Sequence, residues 1–145
     1  MQEWEKGWLG GIIDGEGCVE ISRRSSRGYA LYQARITIAN TNTVLIDKVK
    51  KLLDSISVGY QVYASKKQAS YHKQGYHIEV GKQISVALLI AVVKPYVIGK
   101  ALQMFWLEEF LKEKELGSYH GYPKRCLEIY DIVSQMNRRS SKDKD

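Results

Sequence analysis

The chain has only two cysteines in 145 residues, Cys18 and Cys126, and no CxxC pair. That excludes a cysteine-based zinc pattern and a disulfide framework, and leaves both as small residues suited to burial. The three histidines, His72, His77 and His120, are not at metal-ligand spacing. The longest apolar run, Val86 to Val93, has eight residues, far short of the ~20 needed to cross a bilayer. The opening MQEWEKGW carries acids where a signal peptide needs bases. The expected location is therefore intracellular, either a prokaryotic cytoplasm or an organelle, with no membrane partner. No repeat and no linker divides the sequence. It reads as a single domain over residues 1–138, followed by a charged, disordered tail at 139–145.

What the chain does have is positive charge. The net charge is +6 and the pI about 9.2, a balance that suits an anionic partner such as nucleic acid. Charge alone does not choose the partner, so its arrangement along the elements matters.

Trp4, Trp8, Leu9 and Ile12 recur at helical spacing, which predicts a helix from Glu3 to about Asp14, with Gly15 and Gly17 to stop it. Cys18 to Ser26 and Tyr29 to Ala39 alternate polar and apolar residues around an SSRG turn and predict a hairpin. In the second strand Tyr32, Ala34, Ile36 and Ile38 share one face. The stretch NTNT supplies N-cap chemistry for an amphipathic helix, Val44 to Leu53. A second hairpin follows at Gly59–Lys67 and Tyr71–Val80, with Tyr76, Ile78 and Val80 on one face. Three helices complete the chain. They are Gln83–Val93 ending at Lys94-Pro95, Gly99–Glu115 with a stripe of Leu102, Phe105, Trp106 and Phe110, and Pro123–Arg138 with Leu127, Tyr130 and Val133 or Ile132 inward. Trp4 and Trp8 are expected in the core or in helix packing, like the aromatic residues of that stripe. The order α-β-β-α-β-β-α-α-α describes an α+β domain with one antiparallel sheet.

The apolar face of each strand is expected to meet the helices. The opposite face collects Glu20, Ser22, Arg24, Gln33, Arg35, Thr37, Gln61, Tyr63, Ser65, Lys67, His77 and Glu79. These side chains suit base edges: arginine for guanine, glutamine for adenine, glutamate for cytosine. Arg23, Arg27, Lys66 and Lys73 cluster near the turns, where cations hold phosphates. Any one-sided antiparallel sheet is also polar outside, so the pattern alone leaves both readings open.

The stretch LGGIIDGEG, Leu9 to Gly17, breaks local rules. Each glycine weakens a helix interior by about 1 kcal/mol, and Asp14 and Glu16 face the negative end of the helix dipole. Gly7 and Gly11 are four apart, and Gly10 widens the bald patch. Together they suit the close approach of a second copy of the helix. Asp14 and Glu16 would then be doubled near a two-fold axis, where converging carboxylates call for a cation such as Mg²⁺. The alternative is a pair of exposed turn acids beside flexible glycines.

LGGIIDGEG resembles the LAGLIDADG motif: Leu9, Gly11, Ile13, Asp14 and Gly17 match, with Gly10 and Gly15 for alanine, Ile12 for leucine and Glu16 for aspartate. The element order also resembles the αββαββα core of LAGLIDADG homing endonucleases, with its DNA-binding saddle, plus C-terminal helices. The resemblance covers about Trp4 to Glu115. It implies a homodimer, one motif per chain, that binds a long pseudo-palindromic double-stranded DNA site and cuts both strands with Mg²⁺, leaving 3′ overhangs. It implies Glu16 as the acidic metal ligand, the Gly15 carbonyl as a second contribution, and Asp14 as a support tying helix ends together. Asn40 matches a polar residue that orders water, and Lys100 a basic residue that steadies water or phosphate charge. Two departures stand out. Glutamate replaces aspartate at position 16, and no arginine follows Asn40. The same scaffold also serves intron RNA maturases, whose partner would be RNA, and non-catalytic DNA-binding regulators.

Overall fold

In a computed structural model of the chain, residues 1–66, 69–115 and 121–142 are described, with side chains through Arg138. The elements are α1 (Glu3–Glu16), β1 (Gly17–Ser26), β2 (Tyr29–Asn40), α2 (Thr43–Ser55), β3 (Gln61–Ala64), β4 (Tyr76–Val80), α3 (Gln83–Val93), α4 (Ala101–Glu115) and α5 (Lys124–Lys142). A short 3-10 turn, Lys94–Tyr96, follows α3. The expected α+β order is the observed one. The four strands form one antiparallel sheet in the order β1-β2-β4-β3.

Alternation sets the two sheet faces. Val19 and Ile21 of β1, Ala34, Ile36 and Ile38 of β2, and Ile78 and Val80 of β4 are buried, while the residues between them are not. The buried set merges with Leu9 and Ile13 of α1, Val49 and Leu53 of α2, and Val86 and Leu89 of α3 in one apolar core. Fully burying such a side chain stabilises by about 1.5–3 kcal/mol. All helices therefore serve one side of the sheet, and its other face is left to polar groups.

Helix ends follow local chemistry. The Asn42 carboxamide accepts from the Val44 N–H at 3.0 Å and caps α2. Glu3 and Glu5 occupy the first turn of α1, where acids suit the dipole. At its other end α1 runs past Gly15 to Glu16, two residues beyond the expected stop. The Gly17 N–H still bonds to the Ile13 carbonyl there. A Cβ at Gly17 would lie 2.6 Å from that oxygen, so the close return of the chain admits only glycine.

Four expectations need correction. β3 and β4 are shorter than the alternation predicted, because β4 pairs with β2 only as far as Asn40, where β2 ends. In α4 the buried residues are Met104, Leu107, Phe110 and Leu111, while Leu102 (64%) and Phe105 (43%) are exposed. That helix is apolar on more than one side, so spacing permitted two stripes, and packing on β1 and α5 selected the other. In α5, Cys126, Ile129 and Val133 point inward instead of Leu127. Tyr130 is half-buried and meets the Tyr32 ring edge-on at 5.0 Å. Finally, α5 continues through residues 139–142, which were expected to belong to a disordered tail.

Candidate active site and nucleic-acid interface

The end of α1 separates its two acids. Asp14 turns inward. Its Oδ2 accepts the Ile98 N–H at 2.8 Å and the Gly99 N–H at 3.1 Å, and its Oδ1 accepts the Lys100 N–H at 3.0 Å. Three successive amides thus form a small anion-binding concavity closed by one carboxylate. Burial opposes the charge on Asp14, but the three amides and the nearby Lys100 outweigh it. The pKa is lowered from the usual 3.8. The Lys100 ammonium in turn donates to the Asp14 carbonyl. Lys100 is therefore moored to the last turn of α1 by both its backbone and its side chain.

Glu16 has the opposite surroundings. It is exposed and makes no hydrogen bond or ion pair with any described residue. It lies where helix geometry leaves carbonyls such as that of Gly15 without amide partners. Among the described residues, no three His, Cys, Asp or Glu side chains gather into a metal-sized group.

The glycines of α1 also divide. A Cβ on Gly10 would meet the Tyr96 Cβ at 2.8 Å and its backbone at 3.0 Å. Gly10 is buried, so its bareness serves packing within this chain and not the exposed patch expected of it. A Cβ on Gly7 would also face Tyr96, at 3.6 Å. Gly11 and Gly15 are exposed, and a Cβ on either would find nothing within 4 Å. The open pair at four-residue spacing is Gly11 and Gly15, and the expected Gly7–Gly11 pair is not it.

The polar sheet face is continuous across strands. Ser22 pairs with Gln33 and Glu20 with Arg35 in one hairpin, and the row Thr37, Glu79, Gln61 crosses the other three strands. His77 lies between Ala39 and Tyr63. Arg35 sits at the centre. Its Nε donates to Glu20 Oε1 at 2.8 Å, and its Nη1 lies 3.7 Å from Glu79 Oε1. Burial works against the guanidinium charge, but Glu20 and then Glu79 outweigh it, and its pKa is raised. Gln33 Nε2 donates to the Gly81 carbonyl at 2.9 Å. Tyr63 donates to the Gln61 side chain. At the far end Arg24 is exposed, and Arg27 with Gly28 forms the hairpin turn at φ 51° and 82°.

With this geometry in view, comparison with known proteins is decisive. The LAGLIDADG-like domain profile matches residues 3–90. The chain belongs to the LAGLIDADG family. An uncharacterized protein of Methanocaldococcus jannaschii is 36% identical over 69 residues, covering 48% of this chain and 24% of the relative. The chain thus spans about a quarter of that relative's length. The fold is shared with solved homing endonucleases. I-CvuI in complex with its target superposes with a TM-score of 0.71 at 19% identity, covering 91% of this chain and 81% of that one. I-TnaI gives 0.69 at 16%, covering 91% and 87%. The archaeal intron-encoded I-Vdi141I, complexed with DNA, gives 0.62 at 16%, covering 94% and 99%.

Within the LAGLIDADG framework, the structure brings Asp14, Lys100 and the carbonyl end of α1 together. Asp14 ties the helix end to the segment before α4 of its own chain. Asn40 ends β2, two residues past Ile38, the strand partner of Gly17. Its Oδ1 accepts the Asn42 N–H at 2.8 Å, and it lines a cavity of about 340 Å³ with Ser65, Lys66, His72 and Lys73. Ser65 lies just past β3, with its N–H on the Gly75 carbonyl at 2.8 Å. Lys67 and His120 lie outside the described residues. Trp4, expected in the core or in helix packing, is 59% exposed, with the Lys48 ammonium 5.2 Å above its ring. Two residues escaped the sequence reading: Tyr96, which packs on Gly10, and Lys82, which lines a cavity of about 230 Å³ with Gln33, Gln61 and Glu79. The basic charge of Lys82, next to the second hairpin, was the available signal.

Proposed function

We propose that the chain is a homing endonuclease that works as a homodimer on a long, pseudo-palindromic DNA site and makes a Mg²⁺-dependent double-strand break with 3′ overhangs. One observation carries the reading: Glu16 ends α1 exposed and, among the described residues, without a hydrogen-bond or ion-pair partner, beside the open pair Gly11 and Gly15. An acid at the negative end of a helix dipole is unfavourable by itself. It makes sense where a cation and a second chain complete the site. Bare backbone at four-residue spacing admits another helix closely, and two-fold symmetry then brings Glu16 to its mate.

The residues present fit a hard divalent cation, since the Glu16 carboxylate and the Gly15 carbonyl are both oxygen donors. Bound there, Mg²⁺ would supply a stronger water nucleophile and charge for the leaving oxygen. The chain's own groups do the rest. Asp14 fixes the segment 98–100 against α1. Lys100 has three ammonium donors, of which the Asp14 carbonyl takes one, and the others suit developing phosphate charge. Asn40 supports the site from the end of β2, where it lines a cavity with Lys66 and Lys73. Arg23, Arg27, Lys66 and Lys73 suit phosphates, and the polar sheet face suits base edges in the major groove.

The test is cleavage of a randomised duplex DNA library with Mg²⁺. The wild type is expected to enrich cut sites with two-fold symmetry, and Glu16→Gln to bind the same sites uncut. A wild type that binds duplex DNA but never cuts it supports a regulator, and one that binds only structured RNA supports a maturase. A monomer at micromolar concentration, with and without DNA, overturns the shared site.

A further inference from the structure

Glu20, Arg35 and Glu79 were expected to act as separate readers of base edges. The structure joins them. They come from three adjacent strands, β1, β2 and β4, yet meet on the polar face. Glu20 is the firm partner, since Arg35 reaches its Oε1 through both Nε and Nη2. Glu79 is the loose one. Its 3.7 Å to Nη1 is an ion pair too long for a hydrogen bond. Both contacts use Oε1, and neither ion pair draws on Oε2. All three side chains are about one quarter to one third exposed. The group carries one positive and two negative charges, so it does not suit a phosphate.

Its pattern suits a base pair. A guanidinium held in one plane presents paired donors, which match guanine O6 and N7. An adjacent carboxylate accepts from the N4 amine of cytosine, the partner base. No other base pair offers two acceptors beside a donor in that order in the major groove. Resting on the proposed DNA-binding function, we infer that Glu20, Arg35 and Glu79 form one coupled reader of a single G·C pair in each half-site. Arg35 meets guanine, Glu20 holds Arg35 in plane, and loosely held Glu79 turns to cytosine. The carboxylates also shield Arg35 from the backbone, so its contribution is sequence discrimination and not general affinity.

The experiment is selection of bound sequences from a randomised duplex library in EDTA, with the salt dependence of binding measured on one fixed, unrelated duplex. The wild type is expected to prefer G·C at one position per half-site. Arg35→Ala is expected to reduce that preference roughly 5- to 150-fold, with other positions and the salt slope unchanged. Arg35→Lys keeps the charge but loses the fork, and should not restore the preference. Glu79→Gln, which keeps Arg35 and its Glu20 partner, should weaken the same position alone. The inference falls if Arg35→Ala leaves the profile intact. It falls equally if binding drops at all positions with a smaller salt slope and Arg35→Lys restores it, which marks a phosphate contact. A wild type that binds duplex DNA with a flat preference there overturns this inference alone. A wild type that binds no duplex DNA overturns the proposed function with it.

Discussion

Asp14 and Glu16 stand two residues apart at the end of α1, and their surroundings are opposite. Asp14 is wrapped by three backbone amides and holds a neighbouring segment in place. Glu16 is exposed and makes no hydrogen bond or ion pair with any described residue. The same split runs up the helix. Gly10 is pressed against Tyr96, while Gly11 and Gly15 face open space. One face of α1 is finished within the chain and belongs to stability. The other is open, and in the proposed dimer it belongs to function, so each face can be broken without the other.

The largest effect is expected at Glu16. On the proposed mechanism Glu16→Gln removes a metal ligand, worth several kcal/mol of transition-state stabilisation, and should slow DNA cleavage by more than ~100-fold. Its melting temperature should stay that of the wild type, because no folded-state contact is lost. Loss of stability in Glu16→Gln would show that the open face is not open.

Gly10 tests the closed face. Gly10→Val must push Tyr96 and its backbone aside, which costs about 1–3 kcal/mol by overpacking. Urea denaturation should show that loss. Gly7→Ala, whose Cβ would find an ordinary 3.6 Å contact, should be neutral or stabilising, since alanine favours the helix by up to ~1 kcal/mol. Equal outcomes at the two positions would remove the distinction between them.

Asp14→Asn should cost roughly 1.5–3 kcal/mol, the value of hydrogen bonds to a charged group, and should disturb Lys100 as well. The pH dependence gives a sharper signature. The folded pKa of Asp14 is lowered below 3.8, so its stabilisation is complete above that value and is lost as pH falls through the lower folded value. The gap between wild type and Asp14→Asn should therefore narrow on going from neutral pH to roughly pH 3, as read by denaturant midpoints.

Much of this was legible in the sequence. Strand alternation placed Val19, Ile21, Ala34, Ile36, Ile38, Ile78 and Val80 on the buried face, and the motif singled out the end of α1 as the candidate site. What escaped depends on partners distant in sequence. Which apolar stripe of α4 is buried depends on α5. Gly10 looked like part of an outward patch because nothing local reveals Tyr96, 86 residues away. Arg35 and Glu79 looked independent because the β2–β4 pairing that joins them crosses α2. Periodicity reports which side of an element is apolar. It does not report what that side meets.

Gly11→Ala is the smallest change and the most telling. A methyl group there meets nothing within 4 Å of its own chain, and alanine in place of glycine favours a helix by up to ~1 kcal/mol. The isolated chain should therefore gain stability. In the proposed dimer the same methyl group enters the contact between two helices, so self-association should weaken and cleavage should fall with it. The two effects have opposite signs, which no purely structural role for Gly11 would produce. Denaturation at low protein concentration and sedimentation at high concentration read them separately. A variant that is more stable and associates as well as the wild type would show that α1 meets its partner on some other face.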